Sequence, residues 1–361
     1  MQQKLTKRSL CLWAMMLNHV ANLLSRTQPM QISTHNNNRY RRTAFRPPII
    51  FLCIPMRISL LLFLLLQLTH LQAQEFNCYW ICHPEADDSS QIQFQHTYRS
   101  IKRPQQASLT VASTGRFQVF VNERNVSRDV LLPSMAHSNN TAQAISFDIT
   151  RFLDEQYNTI AIWYSPIEGI KTDKQISACY SGLDYDGKPF SHFADGSWNC
   201  KTTGMYTLPG NEEYIDGRRK NALWKSTDTG NLDWKNPCTS SDTTHFTYIL
   251  NTSIYPSQHI VKHLEPVNIS TDNLGTHVDF GRTFTGWIRI TLREAKMGEE
   301  IQIGGLTYIC TGEMDEQACR KFTYDTQKTV LITGDSDFKP EQIQSIEGLE
   351  IVPYIHNSYL Y

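Results

Sequence analysis

From residue 74 onward the chain alternates. The stretches QIQFQHTYRS, ASLTVASTGRFQVFVNE, AISFDITRF, NTIAIWYS, WIRITLRE and EEIQIGGLTYI set β-branched and aromatic residues at alternate positions or in short runs, punctuated by Gly, Asn and Asp. That is the period of half-buried strands, not of helices. Only DITRFLDEQ suggests a helical turn, placed between two strands. Many short strands divided by turn residues predict an all-β protein built of sandwiches. A polar, turn-rich gap, DWKNPCTSSDTTH, precedes renewed strand pattern at FTYILNTSIY, as expected of a linker between two cores. The pattern thus predicts two jelly-roll-like β-sandwiches in series, over residues 74–240 and 246–361, with the boundary between 236 and 250.

The residues before this pattern are of another kind. Residues 1–73 hold nine Lys or Arg and no Asp or Glu. At their end MRISLLLFLLLQLTHLQAQ joins a Met, one cation, an apolar run over 58–66 and the small Ala73, the three-part pattern of a secretory signal peptide. The run is shorter than the roughly 20 residues of a membrane span, and Pro55 and Arg57 would interrupt an anchor over 49–68. Residues 1–73 are therefore read as a leader, with translation starting at Met56 and a signal peptide over 56–73 removed on export to the periplasm or the exterior. Without the leader 25 basic residues face 35 acidic ones, a net charge of −10. A polyanion binder is basic, so nucleic acid is not an expected partner.

Seven cysteines follow the leader, an odd number in a compartment that permits disulfides. Cys310 and Cys319 flank TGEMDEQA, a predicted hairpin tip that a disulfide would close. Cys78, Cys82 and His83 lack a second ligand pair at zinc-like spacing. Most of the other thiols are expected as small buried hydrophobes.

Within THVDFGRTFTGWIRITL, Asp279-Phe280-Gly281 spells the metal-holding tripeptide of protein kinases. A kinase also needs a Gly-rich loop, a strand lysine and an H-R-D loop, and the sequence has none. The tripeptide is instead expected to end one strand, with Gly286 permitting a tight return and Trp287 anchoring the next strand in the core. It also falls in an ordered series of patterns. YWICHP comes first, then the Gly-aromatic strand and LLP of STGRFQVFVNERNVSRDVLLP, then Asp148, Thr150, Leu153 and Asn158 of ISFDITRFLDEQYNTIAIWYS. Asp186-Gly187 and Ser197-Trp198 follow, then Glu213, Asp216, Arg218, Trp224, Trp234 and Pro237, and finally Phe280, Gly281, Gly286 and Trp287. Over roughly residues 79–340 this order resembles the N-terminal sandwiches of bacterial α-L-rhamnosidases of glycoside hydrolase family 78. The sequence departs from the family pattern at Asn122-Glu123, where a Gly is usual, and at Glu212 and Gly217.

The resemblance implies rhamnose-containing glycans as partners. It also implies that catalysis belongs to an (α/α)6 barrel beyond these sandwiches, where two carboxyl groups about 6.5–9.5 Å apart would serve inverting hydrolysis. No catalytic residue is therefore expected here, and no G-x-S-x-G elbow or comparable constellation occurs. Some related sandwiches bind rhamnose through calcium, a cation that takes six to eight oxygens. On that model Asp184 and Asp186 are candidate calcium ligands, and Glu213, Asp216, Arg218 and Trp224 candidate sugar contacts. The alternative is a hairpin turn at Asp186-Gly187, a structural ion pair of Asp216 with Arg218, and tryptophans that anchor the core. Three functions fit the sequence: an exported carbohydrate-binding or accessory protein without catalysis, a truncated or split rhamnosidase with a separate catalytic partner chain, and a structural or adhesive sandwich protein.

Overall fold

Strand follows strand through residues 79–134, 141–168, 174–228, 233–240, 247–250 and 257–354, the residues described in this computed structural model. The leader, with Met56 and the 56–73 segment, lies outside them, as does Cys78. Among the described residues no α-helix forms, only single 3-10 turns, one of them Thr150–Phe152 where the helical hint was read. The first group of strands is β1 (Trp80–Cys82), β2 (Ser90–Arg99), β3 (Gln106–Ser113), β4 (Arg116–Val121), β5 (Arg124–Asn125), β6 (Thr141–Asp148), β7 (Tyr157–Ser165), β8 (Gln175–Leu183), β9 (Pro189–Phe193), β10 (Asn199–Leu208), β11 (Glu212–Asp216), β12 (Cys238–Ser240) and β13 (Thr247–Leu250). The second is β14 (Ser257–Leu264), β15 (Asn268–Asp272), β16 (Gly275–Arg293), β17 (Glu300–Ile303), β18 (Leu306–Ile309), β19 (Asp315–Cys319), β20 (Asp325–Gly334) and β21 (Ile343–Tyr354).

Two sheets result. A seven-stranded sheet runs β12-β1-β8-β3-β6-β13, with β9 added on β8. Facing it, β10-β2-β7-β4-β5 belongs to a fourteen-stranded sheet that continues through β11 and β18 into β17-β20-β16-β21-β14. Alternation along the strands sends Leu109, Val111, Ile145 and Ile176 from one sheet toward Ile92, Phe94, Val119 and Ile162 from the other, and all are buried in one apolar cluster. Burying such side chains contributes about 1.5–3 kcal/mol each. A second cluster gathers Ile288, Ile290, Leu292, Ile301, Leu306 and Tyr308.

The junction of the cores is built by β10 and β11. Cys200 of β10 lies in the first cluster and Met205 in the second, because the strand is irregular between Thr202 and Tyr206 and Gly204 takes φ +73°, a left-handed conformation that glycine adopts without a Cβ clash. Strand β11 then pairs in parallel with β18, Glu213 opposite Leu306 and Asp216 opposite Ile309. Of the gap between the two strand patterns, residues 241–246 lie outside the described residues.

The DFG tripeptide sits inside β16, which does not turn back at Gly286 as the sequence suggested. The strand runs on for 19 residues with an irregularity between Asp279 and Phe284. Asp279 Oδ1 accepts the Gly281 amide at 2.7 Å, and Phe280 is buried. Gly286 is required by close approach: a Cβ there would lie 1.9 Å from the Leu349 carbonyl oxygen. Trp287 anchors the strand as expected, buried with its Nε1 donating to Thr323 O at 2.6 Å.

Candidate functional site

Residues 213, 216, 218 and 224 do not share a face. Successive strand residues point to opposite sides, so Glu213 and Asp216, three apart on β11, diverge. Glu213 is fully buried at the junction. Its Oε1 accepts from Gln91 Nε2 at 3.0 Å, and its Oε2 from the amides of Lys321, Phe322 and Thr323 at 2.9, 3.1 and 3.3 Å and the Thr323 hydroxyl at 3.2 Å. One carboxylate thereby ties β2 of the first core to the 321–323 segment of the second. Asp216 accepts the Arg218 amide and both arms of its guanidinium, at 2.9 and 3.0 Å. These bonds from Arg218 hold the Asp216 carboxyl below its ordinary range. Trp224 is buried edge-on against Phe120 and Trp163, with ring centres 5.4 and 6.2 Å away.

Asp184 and Asp186 form a turn. Asp184 Oδ1 accepts the amides of Asp186 at 2.9 Å and Lys188 at 2.8 Å, and Asp186 lies 3.7 Å from the Lys188 ammonium. Among the described residues no group of three or more His, Cys, Asp or Glu is placed to hold a metal ion. A calcium site needs many converging oxygens, and the Asp184 oxygen named here is already committed to two amides. Cys310 and Cys319 are both buried free thiols, and burial raises both, Cys319 to about 11.

One constellation imitates a catalytic triad. His259 Nε2 lies 2.5 Å from Asp129 Oδ1 and 3.4 Å from Ser257 Oγ. A relay uses both ring nitrogens, one toward the nucleophile and the other toward the acid. Here one nitrogen serves both partners, and the group acts as a tie between β14 and the loop after β5.

A concave surface lies between β2 of the larger sheet and β9 and β12 of the smaller one. His96 and Tyr98, two apart on β2, project together, as do Phe190 and His192 on β9, and Tyr180 of β8 stands in register with His192. Tyr98 stacks on His192 at 5.1 Å and meets Tyr180 at 4.9 Å, while His96 stacks on Trp198 at 5.9 Å and touches Tyr98 edge-on at 4.4 Å. Two cavities of about 750 and 200 Å³ share Tyr98 and His192 and form one aromatic trough. Tyr79, Asp195, Ser197 and Thr239 line one end, and Asp184, Tyr185 and Lys102 the other. Asp184 thus reaches the site, although as part of its wall.

Polar groups of the trough are few and directed. His96 Nδ1 lies 3.2 Å from the Ser197 carbonyl. A carbonyl only accepts, so Nδ1 carries the proton and Nε2 of the neutral ring is an acceptor. Asp195 Oδ1 accepts the Ser197 amide and hydroxyl. The Tyr180 hydroxyl is buried with no hydrogen-bond partner, and burial pushes its pKa up to about 12. Such a group is costly unless something pairs with it. Stacked rings beside a few directed polar groups give the trough surfaces for both apolar and hydrogen-bonding contact. Its sequence signal was the alternation QHTYR and PFSHF. No spacing rule joins residues so far apart in the chain.

Burial lowers the pKa of His96 and His192, and burial followed by the Lys235 charge lowers that of His83. In the unfolded chain these rings protonate near 6.5, so below that pH the unfolded state binds more protons and stability falls with pH. The melting temperature should be level above about pH 7 and decline from about pH 6.5 toward 5, before most carboxylates titrate. His96→Asn should flatten the decline. A melting temperature that rose on acidification through this window would contradict the lowered pKa values of these partly desolvated rings.

Comparison with known proteins accounts for the architecture. Residues 102–254 match the alpha-L-rhamnosidase N-terminal domain. This segment is similar to the N-terminal domain of α-L-rhamnosidases. Over 302 residues the chain is 23% identical to an α-L-rhamnosidase of Formosa agariphila, covering 71% of this chain and 31% of that protein. In fold it is similar to the α-L-rhamnosidase from Dictyoglumus thermophilum (TM-score 0.69, 19% identity, 77% of this chain and 36% of that one). It is also similar to the Streptomyces avermitilis α-L-rhamnosidase complexed with L-rhamnose (TM-score 0.65, 16% identity, 74% and 29%). The chain therefore spans about a third of the length of these relatives. The N-terminal domain model covers the strands from β3 to β13, and the structural similarity extends the likeness beyond it.

Proposed function

We propose that this chain is an exported carbohydrate-binding element that holds rhamnose-containing glycans in the aromatic trough and contributes recognition, not bond cleavage, to α-L-rhamnoside degradation. The trough of stacked rings over a buried, unpaired Tyr180 hydroxyl is the observation that carries it. A 6-deoxy sugar has a methyl group and an apolar ring face suited to Tyr98 and His192, and hydroxyls suited to His96 Nε2, Asp195 and Tyr180. Family relationship supports rhamnose as the sugar, and the basic leader with its short apolar core supports export.

Each sugar hydroxyl exchanges water for protein, a net gain of about 0.5–1.5 kcal/mol per hydrogen bond. Affinity for a single ring should be modest, on the order of millimolar. Titration calorimetry with L-rhamnose and with a rhamnose-terminated oligosaccharide tests this, with saturable heat expected for both. No heat with either sugar would sink the proposal. Heat abolished by a chelator would move recognition to a cation and the Asp184 end. A second function, part of a hydrolase whose acid and base lie in other domains or in a partner chain, is favoured by the third of the relatives' length that the chain spans.

A further inference from the structure

The short strand β1 brings a pair of cysteines face to face. It pairs antiparallel with β12, and Cys82 stands directly opposite Cys238, 156 residues away. Directly opposed residues in an antiparallel pair have Cα atoms about 4.5 or 5.5 Å apart and side chains on the same face. Both separations fall within the 4.4–6.8 Å over which a disulfide closes without moving the backbone. Cys82 Sγ already approaches the Cys238 carbonyl oxygen at 3.7 Å. Cys82 is half-buried and Cys238 exposed.

A third thiol lies beneath them. Cys200 of β10 is fully buried and bonded to Lys235 through two backbone hydrogen bonds of 2.8 Å. Burial, followed by the neighbouring Cys82 and Cys238 thiols, raises its pKa to about 12. The thiolate is the reactive form in exchange, so Cys200 stays protonated and does not compete.

We propose that Cys82 and Cys238 form a disulfide that rivets β1 to β12 and fixes one wall of the trough. The wall is in place on both strands: Tyr79 immediately precedes β1, Thr239 is the middle residue of β12, and both line the cavity. The oxidant is a low-molecular-weight disulfide of the exported compartment. The exposed Cys238 thiolate attacks it, forming a mixed disulfide and releasing one thiol. Cys82 thiolate then attacks the Cys238 sulfur and releases the second. The two protein thiols are oxidised, the external disulfide is reduced to two thiols, and those thiols carry away both protons. The bond does not depend on what the trough binds.

The full-length chain is incubated in a mixture of oxidised and reduced glutathione, alkylated, digested without reduction and mapped by mass spectrometry. A linked peptide pair containing Cys82 and Cys238 is expected, with Cys200 alkylated only after unfolding. Reduction should lower the melting temperature by about 5–15 °C, since the bond closes a long loop. Cys238→Ser should remove that dependence. Alkylation of both Cys82 and Cys238 in the oxidised sample overturns the proposal, as does a link from Cys82 to Cys78 or Cys200. The mapping needs no variant, so it decides even if Cys238→Ser fails to fold.

Discussion

Glu213→Ala should lower the melting temperature by about 10 °C, the largest single-residue effect expected at the junction. The carboxylate is fully buried and receives five hydrogen bonds, three of them from consecutive backbone amides at 321–323. Alanine leaves those amides without an acceptor in a site closed to water, where each unpaired donor costs about 1–3 kcal/mol. Partial hydration of the space left behind reduces the total to roughly 3–5 kcal/mol. Arg116 and Arg320, whose charges act on Glu213 and whose own pKa values burial lowers, would also lose a counter-charge.

Glu213→Gln discriminates between charge and hydrogen bonding. Its amide oxygen can take the place of Oε2 and keep the 321–323 donors, while its NH2 faces Gln91. Gln91 Oε1 has no partner in the native structure, so a flip of the Gln91 amide would let that oxygen accept. The loss should then be about 1–2 kcal/mol. Thermal melts of the three proteins settle the matter. Equal losses for Ala and Gln would show that the charge near the two arginines dominates, and no loss for Ala would show that the junction is not held there.

The same residue shows what the sequence could and could not convey. Strand periodicity exposed β2, β3, β4, β6, β7, β16, β17 and β18, because a half-buried sheet writes its alternation into the side chains. Trp287 was legible as an anchor for the same reason. Glu213 was read as a candidate sugar contact, since the donors that bury it come from residues 91 and 321–323, contacts that no local spacing encodes. Gly286 was read as a turn, because a sequence does not distinguish a glycine needed for positive φ in a hairpin from one needed to let Leu349 approach. The trough was hidden more completely. β2 and β9 each show two rings at i and i+2, an ordinary core pattern, and only the meeting of two sheets makes them one surface.

His192→Ala and Tyr180→Phe together should show whether that surface binds sugar. His192 is exposed and stacks on Tyr98, so its removal should leave stability within about 0.5 kcal/mol. It should nevertheless weaken binding of a rhamnose-terminated oligosaccharide about tenfold, equivalent to about 1.4 kcal/mol, by removing a wall that contacts the apolar face. Tyr180→Phe has the opposite signature. Deleting a buried hydroxyl that lacks a partner removes a desolvation cost, so the unliganded protein should gain up to about 1 kcal/mol. If a sugar hydroxyl pairs with that group in the complex, the same change weakens binding about three- to tenfold. A more stable protein with poorer affinity is therefore the expected result, measured by thermal melts beside titration calorimetry. Unchanged affinity in both variants would remove the trough as the sugar site. Tyr180→Phe that lost stability would mean the hydroxyl already has a partner, and its role in the site would fall with it.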